Sequence, residues 1–522
     1  MKSGSGAGRV EAGPSRGRLA AVAAVLAAAM VMTVGAQEHV DEAVIARMKI
    51  EGFQRSQVME TLSWLTDVHG PRLSGSANYR KAAEWARDKM TTWGLANARL
   101  EAWGDFGPAW AVNRFSVEMI EPTYTRIVAY PLAWTSSTPG VVRGTPTLVE
   151  IRSEADFEKY RGKLSGAIVM LGRPSPAASP FEPPATRLTV EDLTKVEGAI
   201  DPGSPASLAS EDEGFQRMLA GLKATVDFLA AEKVAALIEP SIRDNNVLEV
   251  AGVAYYTGTE PRFPGFVISK EQYGRILRLL DKKVPVTLEL SLTTTFDASD
   301  TKGYNVLAEI PGSDPVLRDE VVMLGGHFDS WHAGTGAVDN GAGSAVAIEA
   351  VRIMQAIGLK PRRTVRIALW GGEEQDYFGS VGYVAAHFGN PRGDRVPTAE
   401  QAKISGYFNV DNGSGRIRGV NLQGNELVRP IFEAWLEPFQ YLEASTLTVQ
   451  NTGGTDHMPF DALGIPAFQF IQDPLDYDSR RHHTSIDVYE AASEPDMQQA
   501  AVILASFVYH AAMRDEMLPR RQ

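Results

Sequence analysis

The feature that most constrains this chain is a series of metal-ligand side chains in its C-terminal half: His327, Asp339, Glu373–Glu374, Asp411 and His483. Their settings are Gly-Gly-His327-Phe-Asp329-Ser, Ala-Val-Asp339-Asn-Gly, Trp370-Gly-Gly-Glu373-Glu374-Gln, Asn409-Val-Asp411-Asn and His482-His483-Thr-Ser-Ile-Asp487. Apolar runs that read as strands precede several of them: Val321–Leu324, Val365–Trp370 and Phe408–Val410. In an open α/β sheet, side chains just beyond the carboxyl ends of the strands converge on one edge, where such sheets bind ligands. Each residue in the series is therefore expected where a strand ends, with all of them projecting to that edge.

The residue types fix the chemistry. Three carboxylates and two imidazoles satisfy two zinc ions if one carboxylate bridges them. The chain has no cysteine, so any zinc must use His, Asp and Glu, which excludes a Cys-rich structural site. Adjacent Glu373 and Glu374 cannot both point the same way from an extended strand end. One can bind metal while the other faces substrate, and an unligated carboxylate beside an activated water is a natural general base. Asp329, two residues past His327, can turn its carboxylate back to the imidazole N–H, as metal-binding histidines commonly require. Asp487 can stand in the same relation to the second histidine. A single Asp or Glu at a strand end is usually solvated or capping a helix, and a His-His pair is often on the surface. The metal reading rests on the whole set occurring in this order.

Other candidates carry less. His457, in Thr455-Asp-His-Met-Pro-Phe460, has two readings: a donor to a developing oxyanion, or a residue that orders its loop. His39, His69, His332 and His387 read as ordinary histidines. Gly13-Pro-Ser15-Arg-Gly17 matches a nucleophile-elbow pattern but follows no strand, so it is discarded. No His-Glu-x-x-His sequence exists, which excludes the helical zinc-protease site. The Asn412-Gly-Ser414 sequon abuts Asp411 and is not expected to be glycosylated.

At 522 residues the chain is too long for one compact core. Residues 1–36 read as a cleavable export signal: Lys2, Arg9, Arg16 and Arg18, then an apolar run to Val34, then Val34-Gly-Ala36 before Gln37. That run is short for a bilayer span, and no membrane span is expected after cleavage. Arg16 and Arg18 are not adjacent, so a twin-arginine signal is not expected. Cleavage would take the net charge from −13 to −16. Neither value leaves a basic footprint for nucleic acid. Residues 37–122 read as helix then strand and form the N-terminal part of a catalytic domain. Residues 123–285 read as a β-rich insert with a Pro/Ala-rich loop, a helix near 213–233 and a strand at 235–238. Residues 286–522 alternate strand and helix, which predicts an α/β fold with a mixed, mostly parallel sheet sandwiched by helices.

At these residues the chain resembles the co-catalytic di-zinc exopeptidases, in the branch of carboxypeptidase Q and the secreted bacterial aminopeptidases. Asp67-Val-His-Gly-Pro-Arg-Leu-Ser-Gly-Ser76 is similar to that family's N-terminal motif, and Gly162-Lys-Leu-Ser-Gly-Ala-Ile-Val-Met170 to the core of its inserted protease-associated domain. The resemblance implies an eight-stranded zinc-exopeptidase sheet with that insert as a lid. It implies two Zn2+ per chain, with Asp339 bridging. His327 and Asp411 would complete one site, Glu374 and His483 the other, with Glu373 as base. The His-Thr-x-x-Asp spacing selects His483 over His482. Asn340 stands where some relatives have Asp. The implied substrates are short peptides or dipeptides cut at a terminus in a periplasmic or secreted setting. Glutaminyl cyclase, an acyltransferase of the same fold class, is the alternative enzyme, and the insert and the full ligand set argue against it. A non-catalytic receptor-like ectodomain would be expected to lose ligands, and none is lost. The sequence sets no oligomeric state and does not choose between amino- and carboxy-terminal preference.

Overall fold

The computed structural model describes residues 38–178, 181–200, 208–252 and 263–521, together with residues 1, 4, 6 and 8. The expected export signal at 1–36 lies almost wholly outside these residues. Residues 41–522 form one compact unit. Its strands are β1 Ala96–Asp105, β2 Ala109–Glu121, β3 Thr125–Arg126, β4 Ala129–Pro131, β5 Val142–Gly144, β6 Pro146–Val149, β7 Ile168–Leu171, β8 Ala236–Pro240 and β9 Gly265–Ile268. They continue with β10 Thr287–Asp297, β11 Lys302–Ile310, β12 Val321–His327, β13 Thr364–Trp370, β14 Ile404–Asn409, β15 Ile417–Asn421, β16 Thr446–Thr448 and β17 Ala467–Gln472.

The principal sheet has eight strands in the order β1-β11-β13-β12-β14-β17-β15-β16. The central strands β13, β12, β14 and β17 are parallel, and antiparallel pairings flank them. This is the mixed α/β sheet that the strand–helix alternation predicts. β12 explains why the parallel strands lie at the centre. All seven of its residues are buried, as a strand covered on both faces requires. Val321 and Met323 pack with Tyr383, Val384 and Phe460. Val322 and Leu324 face the other way by strand alternation, where helices Ala342–Ala356 and Glu494–Met513 lie against β12. Gly325 and Gly326 let β12 close up on its neighbours just before His327. A Cβ at Gly325 would meet Ala368 O at 1.8 Å, and one at Gly326 would meet Val410 O at 2.5 Å.

The chain leaves this sheet through β2 and returns through β10, and the two pair antiparallel from Ala109–Asp297 to Glu121–Thr287. β3 and β5 extend that pair to four strands. Between them, β4-β9-β8-β7-β6 form a third sheet in which only the β4–β9 pairing is antiparallel. Parallel neighbours need crossover connections. Accordingly this stretch, expected as β-rich, also holds helices Val190–Glu197, Leu208–Ala231 and Lys270–Asp281. Val226, Phe228 and Leu229 cover one face of the third sheet. Tyr273, Ile276 and Leu277 cover the other, with Leu288, Leu290 and Leu292 of β10. Among the described residues no helix is long and apolar enough to cross a membrane.

Candidate metal centre

The structure brings His327, Asp339, Glu373, Glu374, Asp411 and His483 around one cavity of about 140 Å³ at the carboxyl edge of the principal sheet. They arrive there by different routes. His327 is the last residue of β12, Glu373 and Glu374 follow β13, and Asp411 follows β14. Asp339 and His483 do not sit at strand ends, contrary to expectation. Asp339 lies in the turn Ala337–Gly341, just before helix Ala342–Ala356, and the Asp339–Asn340 peptide is cis. His483 lies beyond the turn Tyr477–Arg481, well past β17. The loops that carry them are too long for strand periodicity to place.

The bridging role expected of Asp339 has a geometric counterpart. Its Oδ1 lies 3.3 Å from His327 Nε2 and its Oδ2 lies 3.3 Å from His483 Nε2. On the first side, Asp411 Oδ1 is 3.2 Å from His327 Nε2. On the second, Glu374 Oε2 is 2.8 Å from His483 Nε2. Glu373 Oε2 stays back at 4.0 Å from His327 Nε2. His482 stacks on His483 with ring centroids 3.7 Å apart, and its Nε2 is 3.8 Å from Asp339 Oδ2.

The residues present fit a bound metal. Ligand atoms of His327, Asp339 and Glu374 lie within 4.8 Å of one another, as do those of Asp339, His482 and His483. Asp339 Oδ2, Glu374 Oε1 and Asp411 Oδ1 are buried and make no hydrogen bond, which is costly for a carboxylate unless a cation supplies the missing partner. The electrostatics agree. Burial pushes Glu373 well above the usual carboxylate range; His327 opposes, and Asp411, Asp456 and Glu374 push the same way as burial. Burial, then Asp339, does the same to Glu374. Burial opposes a charge on His327, but Asp411 and Glu373 hold its proton on far above the ordinary value. Buried carboxylates that hinder one another's ionisation in this way are what divalent cations stabilise in the charged form.

Asp329 is buried, as a supporting residue should be, but its partners differ from those expected. His327 Nδ1 lies 3.1 Å from the backbone carbonyl of Asp329, while the carboxylate stands 3.7 Å away. The carboxylate is engaged elsewhere. It accepts from Glu373 N at 3.2 Å, from Glu374 N at 3.4 Å and from Ser74 Oγ at 2.7 Å. Asp329 thus holds the Glu373–Glu374 backbone. Asp487 likewise supports the turn under Asp339, accepting from Val338 N at 2.7 Å and Asp339 N at 3.2 Å. His457 does not line the cavity. Its Nε2 lies 2.9 Å from Thr452 O and from Gln423, and burial lowers its pKa to about 4. It orders a loop. His332, against Pro131 O at 2.9 Å, and His387, against Glu101 at 2.6 Å, keep their ordinary readings.

Four further residues escape sequence reasoning. Tyr477 lines the cavity and donates its hydroxyl to Asp339 Oδ1 at 3.0 Å. Fully buried Arg72 donates to the carbonyls of Phe328, Leu65, Thr335 and Gly336 at 2.7–3.1 Å, pinning the loop between His327 and Asp339. The Gly-Pro-Arg-Leu sequence was the available signal for it. Beneath Asp411, Asn409 binds Gln469 at 2.9 Å, and Gln469 Nε2 donates to Asp411 O at 2.8 Å.

A mixed sheet thus carries an acid–imidazole cluster with the donor set of a metal centre at its carboxyl edge. Residues 305–508 match the model of peptidase family M28. The chain is 27% identical over 487 residues to mouse carboxypeptidase Q, covering 92% of this chain and 91% of that protein. Its fold is similar to that of a peptidase M28 precursor from Shewanella amazonensis, with TM-score 0.65, 23% identity and 92% and 98% of the two chains covered. It is also similar to that of a zinc aminopeptidase from Bacillus subtilis, with TM-score 0.57, 18% identity and 88% and 95% covered.

Proposed function

We propose that the chain is an exported zinc exopeptidase that hydrolyses the terminal bond of short peptides. In this reading two zinc ions are held about a bridging Asp339, one by His327 and Asp411 and the other by Glu374 and His483. The observation that carries it is the placement of Asp339, with one oxygen toward each histidine at 3.3 Å. The names of the relatives, a zinc aminopeptidase among them, support zinc as the metal. When bound, zinc would polarise a peptide carbonyl and make a water acidic enough to yield its proton near neutral pH.

The chain's own residues do the rest. Glu373 lines the cavity but stands back from the histidines, 4.0 Å from His327 Nε2, and takes the proton of the attacking water. It returns that proton to the leaving amine as the C–N bond breaks. Asp329 fixes Glu373 and Glu374 through their backbone amides, and Tyr477 fixes the bridging carboxylate. Residues 123–285 form the insert, a protease-associated domain acting as a lid, and residues 1–36 carry the chain to the periplasm or outside.

The cavity is lined by carboxylates, imidazoles, Asn412, Thr455, Tyr477 and glycines, with no Lys or Arg among its described lining residues. That favours a free amino terminus over a free carboxylate as the recognised group. The carboxypeptidase or dipeptidase reading stands second, favoured by the 27% identity to carboxypeptidase Q. The test is a panel of dipeptides, free and blocked at either end, assayed with added zinc. Blocking the amino group should abolish turnover and amidating the carboxylate should spare it. The reverse pattern establishes the second reading, and turnover of doubly blocked peptides rejects an exopeptidase.

A further inference from the structure

We propose that Arg243, a residue of the inserted segment far from the catalytic sheet in sequence, is a positioning residue for His483 and so sets the affinity of the metal site that His483 completes. The proposal rests on the reading of His483 as a ligand given above.

His483 is the ligand least secured by its own element. It belongs to no strand or helix, and its φ of 60 is a left-handed backbone that few non-glycine residues adopt. Such a conformation persists only where the surroundings over-determine it. Those surroundings come largely from the insert. Arg243 donates from Nη1 to Asp478 O at 2.6 Å and to Ser479 O at 3.1 Å, and from Nη2 toward His482 O at 3.4 Å. One guanidinium therefore gathers three carbonyls of the loop that leads into His483. Its Nε donates to Glu249 Oε2 at 2.5 Å, which fixes the plane of the fork within the insert. A few residues on, Val250 N donates to His483 O at 3.0 Å and Ser485 N donates to Leu248 O at 2.8 Å, so two strand-like hydrogen bonds bracket the ligand. The root of the same loop is held separately, by Arg187 of the insert on Asp473 at 2.7 Å and by Thr186 N on Leu475 O at 2.9 Å.

A planar guanidinium holds its several donors in a rigid fork, whereas an ammonium's three donors rotate about a single point and do not fix the carbonyls in one plane. Arg243 itself does not line the cavity. Arg243 acts by fixing the backbone from which the imidazole projects, and partners one step removed from a metal typically change its affinity by about 10–100-fold. The insert would thus contribute to the metal centre as well as cover it.

The experiment is a zinc titration of the full mature chain against a chromophoric chelator, comparing wild type with Arg243→Ala and Arg243→Lys. Kinetics on a dipeptide are run at low and at saturating zinc, and melting temperatures are taken in parallel. Arg243→Ala should bind one zinc about 10–100-fold more weakly, with the other unchanged, and saturating zinc should restore most of kcat. Arg243→Lys should fall between. Zinc affinity within threefold of wild type overturns the proposal, whether or not the melting temperature drops, because Arg243 is then only a structural staple. If Arg243→Ala fails to fold, Arg243→Lys carries the same two outcomes. Wild-type stoichiometry is read first in the same titration. Fewer than two zinc ions there counts against the two-zinc reading, whereas the difference between wild type and variant tests Arg243.

Discussion

Asp329→Asn isolates the support of the catalytic pair from the pair itself. The native carboxylate accepts three hydrogen bonds, Glu373 N on Oδ1 at 3.2 Å, and Glu374 N and Ser74 Oγ on Oδ2 at 3.4 and 2.7 Å. Asparagine has the same shape but one acceptor oxygen. Whichever way the amide turns, its NH2 meets at least one backbone N–H that needs an acceptor. Hydrogen bonds to a charged partner contribute about 1.5–3 kcal/mol each, and the site is buried, so water does not replace the lost one. At about 1.4 kcal/mol per tenfold, one such bond spent on misplacing Glu373 lowers kcat about 10–100-fold. Zinc content should hold at saturating zinc, because every ligand side chain is kept and the bond to Glu374 N, at 3.4 Å, is the longest of the three. The assay is steady-state kinetics on a dipeptide with metal analysis of the same sample. A kcat within threefold of wild type would refute the claim that this carboxylate orients the Glu373–Glu374 backbone. Loss of zinc equal to the loss of rate would show that it serves the ligands instead.

Three further outcomes are expected. Glu373→Gln should abolish turnover, by about 10²–10⁴-fold, and keep its zinc, whereas Glu374→Gln should release zinc; equal metal loss in both would mean the roles are misassigned. Arg72→Met leaves four buried carbonyls without their donor and should lower stability by about 3–5 kcal/mol in denaturant unfolding, with an effect under about 1 kcal/mol contradicting its place as the pin of the His327–Asp339 loop. His332 and His457, both buried, titrate near 4 in the folded chain against an ordinary value of 6.5; between those values the unfolded chain binds more protons, so stability should fall with pH by up to about 1.4 kcal/mol per unit for each, and a melting temperature that does not change from pH 6.5 to 4.5 would refute it.

The residues differ in how far the sequence reveals them. β12 and β13 announce themselves as unbroken apolar runs, and His327 and Glu373–Glu374 follow because a parallel strand delivers its next residues to the sheet edge. Asp339 and His483 are legible as ligand types, but the strand ends expected for them are wrong, because their positions depend on loops fixed by partners distant in the chain. Asp339 rests on Asp487, 148 residues on, and His483 on Val250. No local period encodes such pairings. The partner of Asp329 is not legible: from sequence its nearest neighbour is His327, but folding brings the Glu373–Glu374 amides and Ser74, 255 residues away, to its carboxylate. Tyr477 left no trace at all, since one tyrosine in a polar loop has no pattern that separates it from a surface residue.

The central claim is a bridging Asp339 between two metal ions, and metal analysis of the mature wild-type chain tests it most directly. After dialysis against zinc and removal of the excess, two zinc ions per chain are expected, falling to one or none in Asp339→Ala. One zinc or none in the wild type, or two retained by Asp339→Ala, would contradict it.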